Sequence, residues 1–173
     1  MKRREFIAGL SAAAWLVVGM ILLGGNATGQ QNPRTEELIG TWSLVSHEAS
    51  RPDGSKFFPY GANPRGMAIF DARGHFIITV MRSDRPKYEK ELPSLGSPEE
   101  NKATAEGTMT YFGIYSISEN DPTISIHIAA SSFPNWNESD QKRDFVITGD
   151  QLILVARALP TGGRAVVTWR RAK

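Results

Sequence analysis

Residues 110–145 read TYFGIYSISENDPTISIHIAASSFPNWNESDQKRDF, and this stretch decides the fold. Tyr111, Gly113, Tyr115 and Ile117 fall on one face at a period of two, with Phe112, Ile114 and Ser116 on the other. That alternation is the pattern of a half-buried strand. Glu119-Asn120-Asp121-Pro122 turns the chain. A second alternation follows, with Ile124, Ile126 and Ile128 on one face and Ser125, His127 and Ala129 on the other. Ser131 to Asp140 is a loop around Pro134-Asn135-Trp136, and Gln141 to Thr148 is a third strand. Three consecutive strands joined by short turns predict an antiparallel sheet.

The same pattern extends in both directions. Thr41 to His47 alternates, with Trp42 and Leu44 on one face. Asp53-Gly54 is a turn pair suited to positive φ. Phe57 to Gly61 is extended, Met67 to Phe70 is a strand, and Asp71 to Gly74 is a hairpin loop. His75 to Met81 is the return strand. Leu152 to Ala156 and Ala165 to Arg170 complete the set, joined through Pro160-Thr161-Gly162-Gly163. Eight strands predict an all-β, eight-stranded antiparallel barrel, the size that holds one small ligand. Glu36 to Ile39 supports a single helical turn at most, after a stub from Gln30 to Thr35. Pro98 to Thr108 is the one short helix of the barrel domain: Glu99 and Glu100 suit its first turn, and Gly107 stops it.

Composition bounds the class. The chain has 173 residues, 22% charged, with 16 glycines, 10 prolines and no cysteine. Disulfides and zinc–thiolate sites are therefore excluded. The formal net charge of +2 belongs to the first 29 residues, which hold Lys2, Arg3, Arg4 and Glu5. The remainder is neutral, which argues against a nucleic-acid partner.

Residues 1–29 have a basic start, an uncharged run and a small-residue end at Ala27 and Gly29, the layout of a signal peptide cleaved after Gly29. Arg3-Arg4-Glu5-Phe6-Ile7 resembles the twin-arginine export signal, which implies a bacterial protein that crosses the membrane already folded. The expected destination is periplasmic or secreted, with no stable membrane insertion after cleavage. The alternative is an inner-membrane anchor through residues 6–25. The barrel domain is then residues 30–173.

The stretch from Gly40 to Pro86, GTWSLVSHEASRPDGSKFFPYGANPRGMAIFDARGHFIITVMRSDRP, resembles the bacterial and fungal lipocalin-like domain family. It carries Gly40-Thr41-Trp42, a proline–glycine turn, an Asp71-to-Gly74 hairpin and a strand ending Met81-Arg82. The Tyr111-Phe112-Gly113-Ile114-Tyr115 strand and the short helix before it belong to the same likeness. The resemblance implies a calycin-type barrel. There the glycine of Gly-x-Trp admits a close chain approach, and the tryptophan plugs the closed end. It also implies that Arg170, following Trp169, packs on Trp42. Trp169 and Arg171 are then expected to face the other way. Asn137-Glu138 departs from the family pattern.

Six residues are candidates for ligand binding. His127 and Arg143 match positions where the resembled family carries histidine and arginine. His127 is the candidate acid or base if it points into the lumen, and otherwise an exposed strand histidine. Arg143 is either a carboxylate-binding guanidinium inside the barrel or a salt-bridge partner of Asp84, Glu138 or Asp140. Arg82 sits at the barrel mouth, as a ligand contact or a strand cap. Tyr111, Tyr115 and Trp136 are the aromatic candidates for a pocket wall. His47, His75 and His127 lie on separate strands without metal spacing, and no phosphate loop or nucleophile elbow occurs. Neither a metal nor a cofactor is expected.

The leading expectation is an exported lipocalin-like binder of a small, mostly hydrophobic or aromatic molecule. The alternatives are a small-molecule isomerase or cyclase using His127 as its acid/base, and an envelope interaction protein with a filled barrel. Oligomeric state has no sequence signal.

Overall fold

The computed structural model describes residues 33–160 and 162–173. The leader therefore lies outside the described residues. The strands are β1 (Gly40–Ser50), β2 (Lys56–Phe57), β3 (Arg65–Phe70), β4 (His75–Met81), β5 (Thr108–Ile117), β6 (Thr123–Ser131), β7 (Ser139–Thr148), β8 (Gln151–Ala156) and β9 (Arg164–Arg171). Apart from the two-residue β2, each pairs antiparallel with its neighbours in the order β1-β3-β4-β5-β6-β7-β8-β9. Pairing of β1 with β9 closes the eight-stranded antiparallel barrel. Closure removes the free sheet edges that would otherwise invite association. The extended segment at Phe57 contributes β2, which pairs only with the end of β1 at Ala49 and Ser50.

Helix α1 (Pro33–Leu38) starts earlier and runs longer than the single turn expected from Glu36 to Ile39. Its last residue explains this. Leu38 is fully buried, and its carbonyl accepts a hydrogen bond from Trp42 Nε1 at 2.9 Å. Helix α2 (Pro98–Glu106) has a capping box: Ser97 Oγ accepts from the Glu100 N–H, and the Glu100 carboxylate accepts from the Ser97 N–H. Two otherwise unpaired amides are satisfied this way. The β4–β5 connection that carries α2 is tied to the barrel by Arg85, which donates to the Arg82 carbonyl and Thr108 Oγ1.

One end of the lumen is solid. Trp42, Phe70, Phe76 and Ile124 pack there, with Tyr115 edge-on to Phe70. Arg171 stacks its guanidinium over Trp42 at 4.2 Å and donates to the carbonyls of Ile39 (3.0 Å) and Glu37 (2.6 Å). The closure arginine is thus Arg171, and the expectation for Arg170 is corrected. Trp42 pairs with Arg171 in the β1–β9 register, and inward positions on β9 are Ala165, Val167, Trp169 and Arg171. Arg170 is exposed, whereas Trp169 is 1% exposed and faces inward. Gly40 has φ +132, a backbone conformation that L side chains rarely adopt and that favours glycine at the start of β1.

Two bulges set which side chains enter the lumen. On β1 the register shifts between Leu44 and Ser46. Before the shift Trp42 and Leu44 point inward; after it His47 and Ala49 do. On β6 the shift leaves Ala129 unpaired between Ile128 and Ala130. One extra residue inverts the phase of all that follows, because side chains alternate every residue.

Candidate functional site

Above the packed end the lumen is not filled. A partly open cavity of about 370 Å³ remains, within the range of small-molecule sites. Its wall is mostly apolar: Ala49, Phe57, Pro59, Ile78, Val80, Met109, Leu154, Ala156, Leu159, Pro160, Ala165 and Val167. These come from β1, β4, β5, β8 and β9, from the segment at β2 and from the β8–β9 connection. The polar-capable groups are His47, Tyr60, Tyr111, Trp136, Arg143 and Trp169. The cavity rules out the filled barrel considered from sequence.

Tyr111, Trp136 and Arg143 therefore meet in one place. Tyr111 meets Trp136 edge-on at 5.4 Å, and Phe133 also meets Trp136 edge-on at 6.0 Å. Trp136 lies in a short helical turn, Pro134–Trp136, whose C-terminal side is held by Ser139 Oγ donating to the Trp136 carbonyl at 2.6 Å. The loop then passes through Glu138, the one described non-glycine residue with positive φ, at 54°. Asn137 Oδ1 accepts from the Ser131 N–H, which locks the loop onto the end of β6.

Arg143 is on the inward face of β7, one residue beyond the Asp144–Val155 pair where the β7–β8 ladder stops. It donates to the Lys142 carbonyl and to Gln141 Oε1. Among the described residues it has no carboxylate partner. The salt bridges offered as alternatives do not form: Asp84 pairs with Arg82, while Glu138 and Asp140 flank His127.

The other three candidates lie elsewhere. Arg82 is a half-buried residue just past the end of β4 whose Nε and Nη2 both bond Asp84, at 2.9 and 2.7 Å. Tyr115 is in the packed end, where its hydroxyl donates to the Asp71 carbonyl at 2.7 Å. His127 is on the outer face of β6, because Ile124, Ile126 and Ile128 take the inner one. Its Nδ1 is 2.9 Å from Asp140 and its Nε2 3.5 Å from Glu138. The bond to Asp140, helped by both negative charges, raises its pKa. An acid/base role for His127 inside the barrel is thereby corrected: the strand alternation turns it away from the cavity.

The histidine inside is His47, which strict alternation from Trp42 placed on the opposite face. Only the β1 bulge brings it in, and no sequence signal marks that bulge. His47 packs against Tyr60 at 5.0 Å, and its Nδ1 is buried with no hydrogen-bond partner among the described residues. Burial, followed by the positive charge of Arg143, lowers its pKa from 6.5 to about 4, so it is a neutral imidazole at neutral pH. Burial, with a smaller push from Tyr111, raises Tyr60 to about 12. Burial likewise raises Tyr111, against the opposing pull of Arg143. Trp169 Nε1 is likewise buried with no hydrogen-bond partner among the described residues.

An eight-stranded antiparallel barrel, plugged at one end and hollow at the other, with a few polar groups in an apolar wall, is the architecture of a small-molecule-binding barrel protein. The family described as Lipocalin-like domain matches residues 39–172, and the chain belongs to that family. A search of the curated proteins finds no match.

Proposed function

We propose that this protein binds one small, mostly apolar molecule in the barrel cavity, and that it does so after export to the periplasm or the medium. The observation that carries the binding reading is the partly open, apolar-walled cavity of about 370 Å³ above a solid core. A protein whose barrel served only as a scaffold would have no use for that void, since an unfilled apolar cavity costs stability. The support for export is the leader sequence alone, and mass spectrometry of the N-terminus of protein recovered from the periplasm tests it.

Binding is favoured over proton-transfer catalysis by the state of the one imidazole in the cavity. A base whose pKa is about 4 accepts protons poorly at neutral pH. Trp136 and Trp169 both border the cavity, so intrinsic fluorescence reports occupancy. The test is a titration with fatty acids, retinoids and aromatic acids, together with native mass spectrometry of protein from its own host. Saturable quenching or a co-purified molecule is expected. Silence in both measurements would remove the binding reading.

A further inference from the structure

The outer face of the barrel is unevenly charged. On β7 the outward positions carry Asp140, Lys142 and Asp144. On β3, β4 and β5 they carry Met67, Ile69, Ile77, Phe112 and Ile114, each between 38% and 54% exposed. The register sets Ile69, Ile77 and Phe112 side by side in one row across the three strands. Met67 is the next outward residue on β3 toward the open end, and Ile114 the next on β5 toward the closed end. Thr79 and Thr110 complete the row that starts at Met67, and their hydroxyls bond each other at 2.8 Å. The pair is partly satisfied within the sheet, so burying it costs less than burying two lone hydroxyls.

Monomeric proteins rarely leave a contiguous apolar face of this kind uncovered, and five side chains at about half exposure present on the order of 400 Å² of apolar surface. A specific interface takes about 800 Å² from each partner, somewhat more than half of it apolar, so the face has the size that one partner supplies.

The charged rim identifies the partner. Arg65, at the open-end edge of the patch, is exposed and has no ion-pair partner among the described residues. Asp71, at the closed end of the same strand, has its side chain 45% exposed. The two lie equally far from Ala68 along the chain. A two-fold axis between two facing sheets, perpendicular to β3 at Ala68, therefore sets each Arg65 on Asp71 of the other copy. Ala68, Ile78 and Tyr111 share one level, so the same rotation sets Met67 against Ile69 and Thr110 against Phe112. Sheets stack face to face in such an aligned manner at about 10 Å. A two-fold interface must be self-complementary, and a cation and an anion placed symmetrically about its axis meet that condition. A lipid surface suits the face poorly. Asp71 lies at one edge, and beyond Ile114 the carboxylates of Glu138 and Asp140 flank His127, where they repel anionic headgroups.

We propose that the outer face of β3, β4 and β5 is the interface of an isologous homodimer, with Arg65 of each copy paired to Asp71 of the other. It stands apart from the cavity, none of whose lining residues belongs to the patch.

The test is sedimentation equilibrium of the full chain, expressed with its leader and recovered as the host processes it. A reversible dimer with a dissociation constant of about 10 µM is expected, fitting an interface at the small end of the specific class. Ile77→Lys is expected to weaken it about hundredfold or more, by burying an unpaired charge. Val146→Lys, a comparably exposed position on β7, leaves it unchanged. Arg65→Glu weakens it about tenfold or more, by setting like charges together. Adding Asp71→Asn to Arg65→Glu restores part of that loss, while the amide oxygen still accepts from the Arg73 and His75 N–H groups. A monomer at every concentration up to about 1 mM overturns the proposal without recourse to any variant. A dimer indifferent to Ile77→Lys overturns it by placing the contact elsewhere. A dimer lost in Ile77→Lys but indifferent to Arg65→Glu overturns the two-fold arrangement. Sedimentation of the monomer with phosphatidylglycerol vesicles, lost in Ile77→Lys, assigns the face to a membrane and overturns it as well.

Discussion

Acidification between neutral pH and pH 5 should weaken this fold through His47. In the unfolded chain its imidazole titrates near 6.5; in the barrel, burial and the Arg143 cation hold the value at about 4. Above pH 7 both states are neutral and the residue contributes no pH dependence. As the pH falls below 6.5 the unfolded chain takes up a proton that the folded chain refuses. Stability therefore drops with falling pH, and the loss levels off below about 4. A shift of this size corresponds to about 2 kcal/mol at pH 5 and about 3 kcal/mol at the plateau. His127 acts in the opposite sense: its raised pKa favours the folded state below 6.5 and loses that contribution as pH rises. The two are separated by urea unfolding of the unsubstituted protein and His47→Gln at pH 7.5 and pH 5. The difference in unfolding free energy between the proteins should change by about 2 kcal/mol across that interval, with the variant less sensitive. The same pH dependence in both proteins would show that His47 is not held neutral by the cavity, and would refute the argument.

Four further outcomes follow from the geometry. Arg171→Ala should cost about 2–3 kcal/mol in thermal or urea unfolding, because it removes the stack on Trp42 and two hydrogen bonds to the entering chain. Arg170→Ala, on the outside, should stay within about 0.5 kcal/mol. Gly113→Ala should destabilise by about 3 kcal/mol or more, since the new Cβ collides with the His127 carbonyl across the β5–β6 pair; a Tm within a degree or two of the parent would contradict this. His127→Ala should leave the affinity for any cavity ligand unchanged within about twofold, since the side chain lies on the outer face of β6 and does not line the cavity; calorimetry with a bound probe checks it.

The particular elements show how far sequence reached. The alternations in β5 and β6 assigned Tyr111, Gly113 and Tyr115 to one shared face and His127 to the face opposite the isoleucines. They could not say which face was the lumen for a strand with polar residues on one side, so His127 stayed a candidate until the barrel closed. On β9 alternation alone could not phase the strand against β1. The register Trp42↔Arg171 decided that Arg171 closes the barrel and that Trp169 enters the cavity.

Local patterning was enough for the class: eight alternating strands, turn chemistry at Asp53-Gly54 and Asp71–Gly74, a helix from Pro98 stopped by Gly107, and the Gly40-Thr41-Trp42 entry. Those follow from side-chain period and backbone preference, which are local. It also brought Tyr111, Trp136 and Arg143 into view. Only the tertiary structure decided that His47, Tyr60 and Trp169 join them. One bulged residue in β1 reverses which side chains meet the lumen, and its cause is the fit of β1 against β9, which no local pattern encodes.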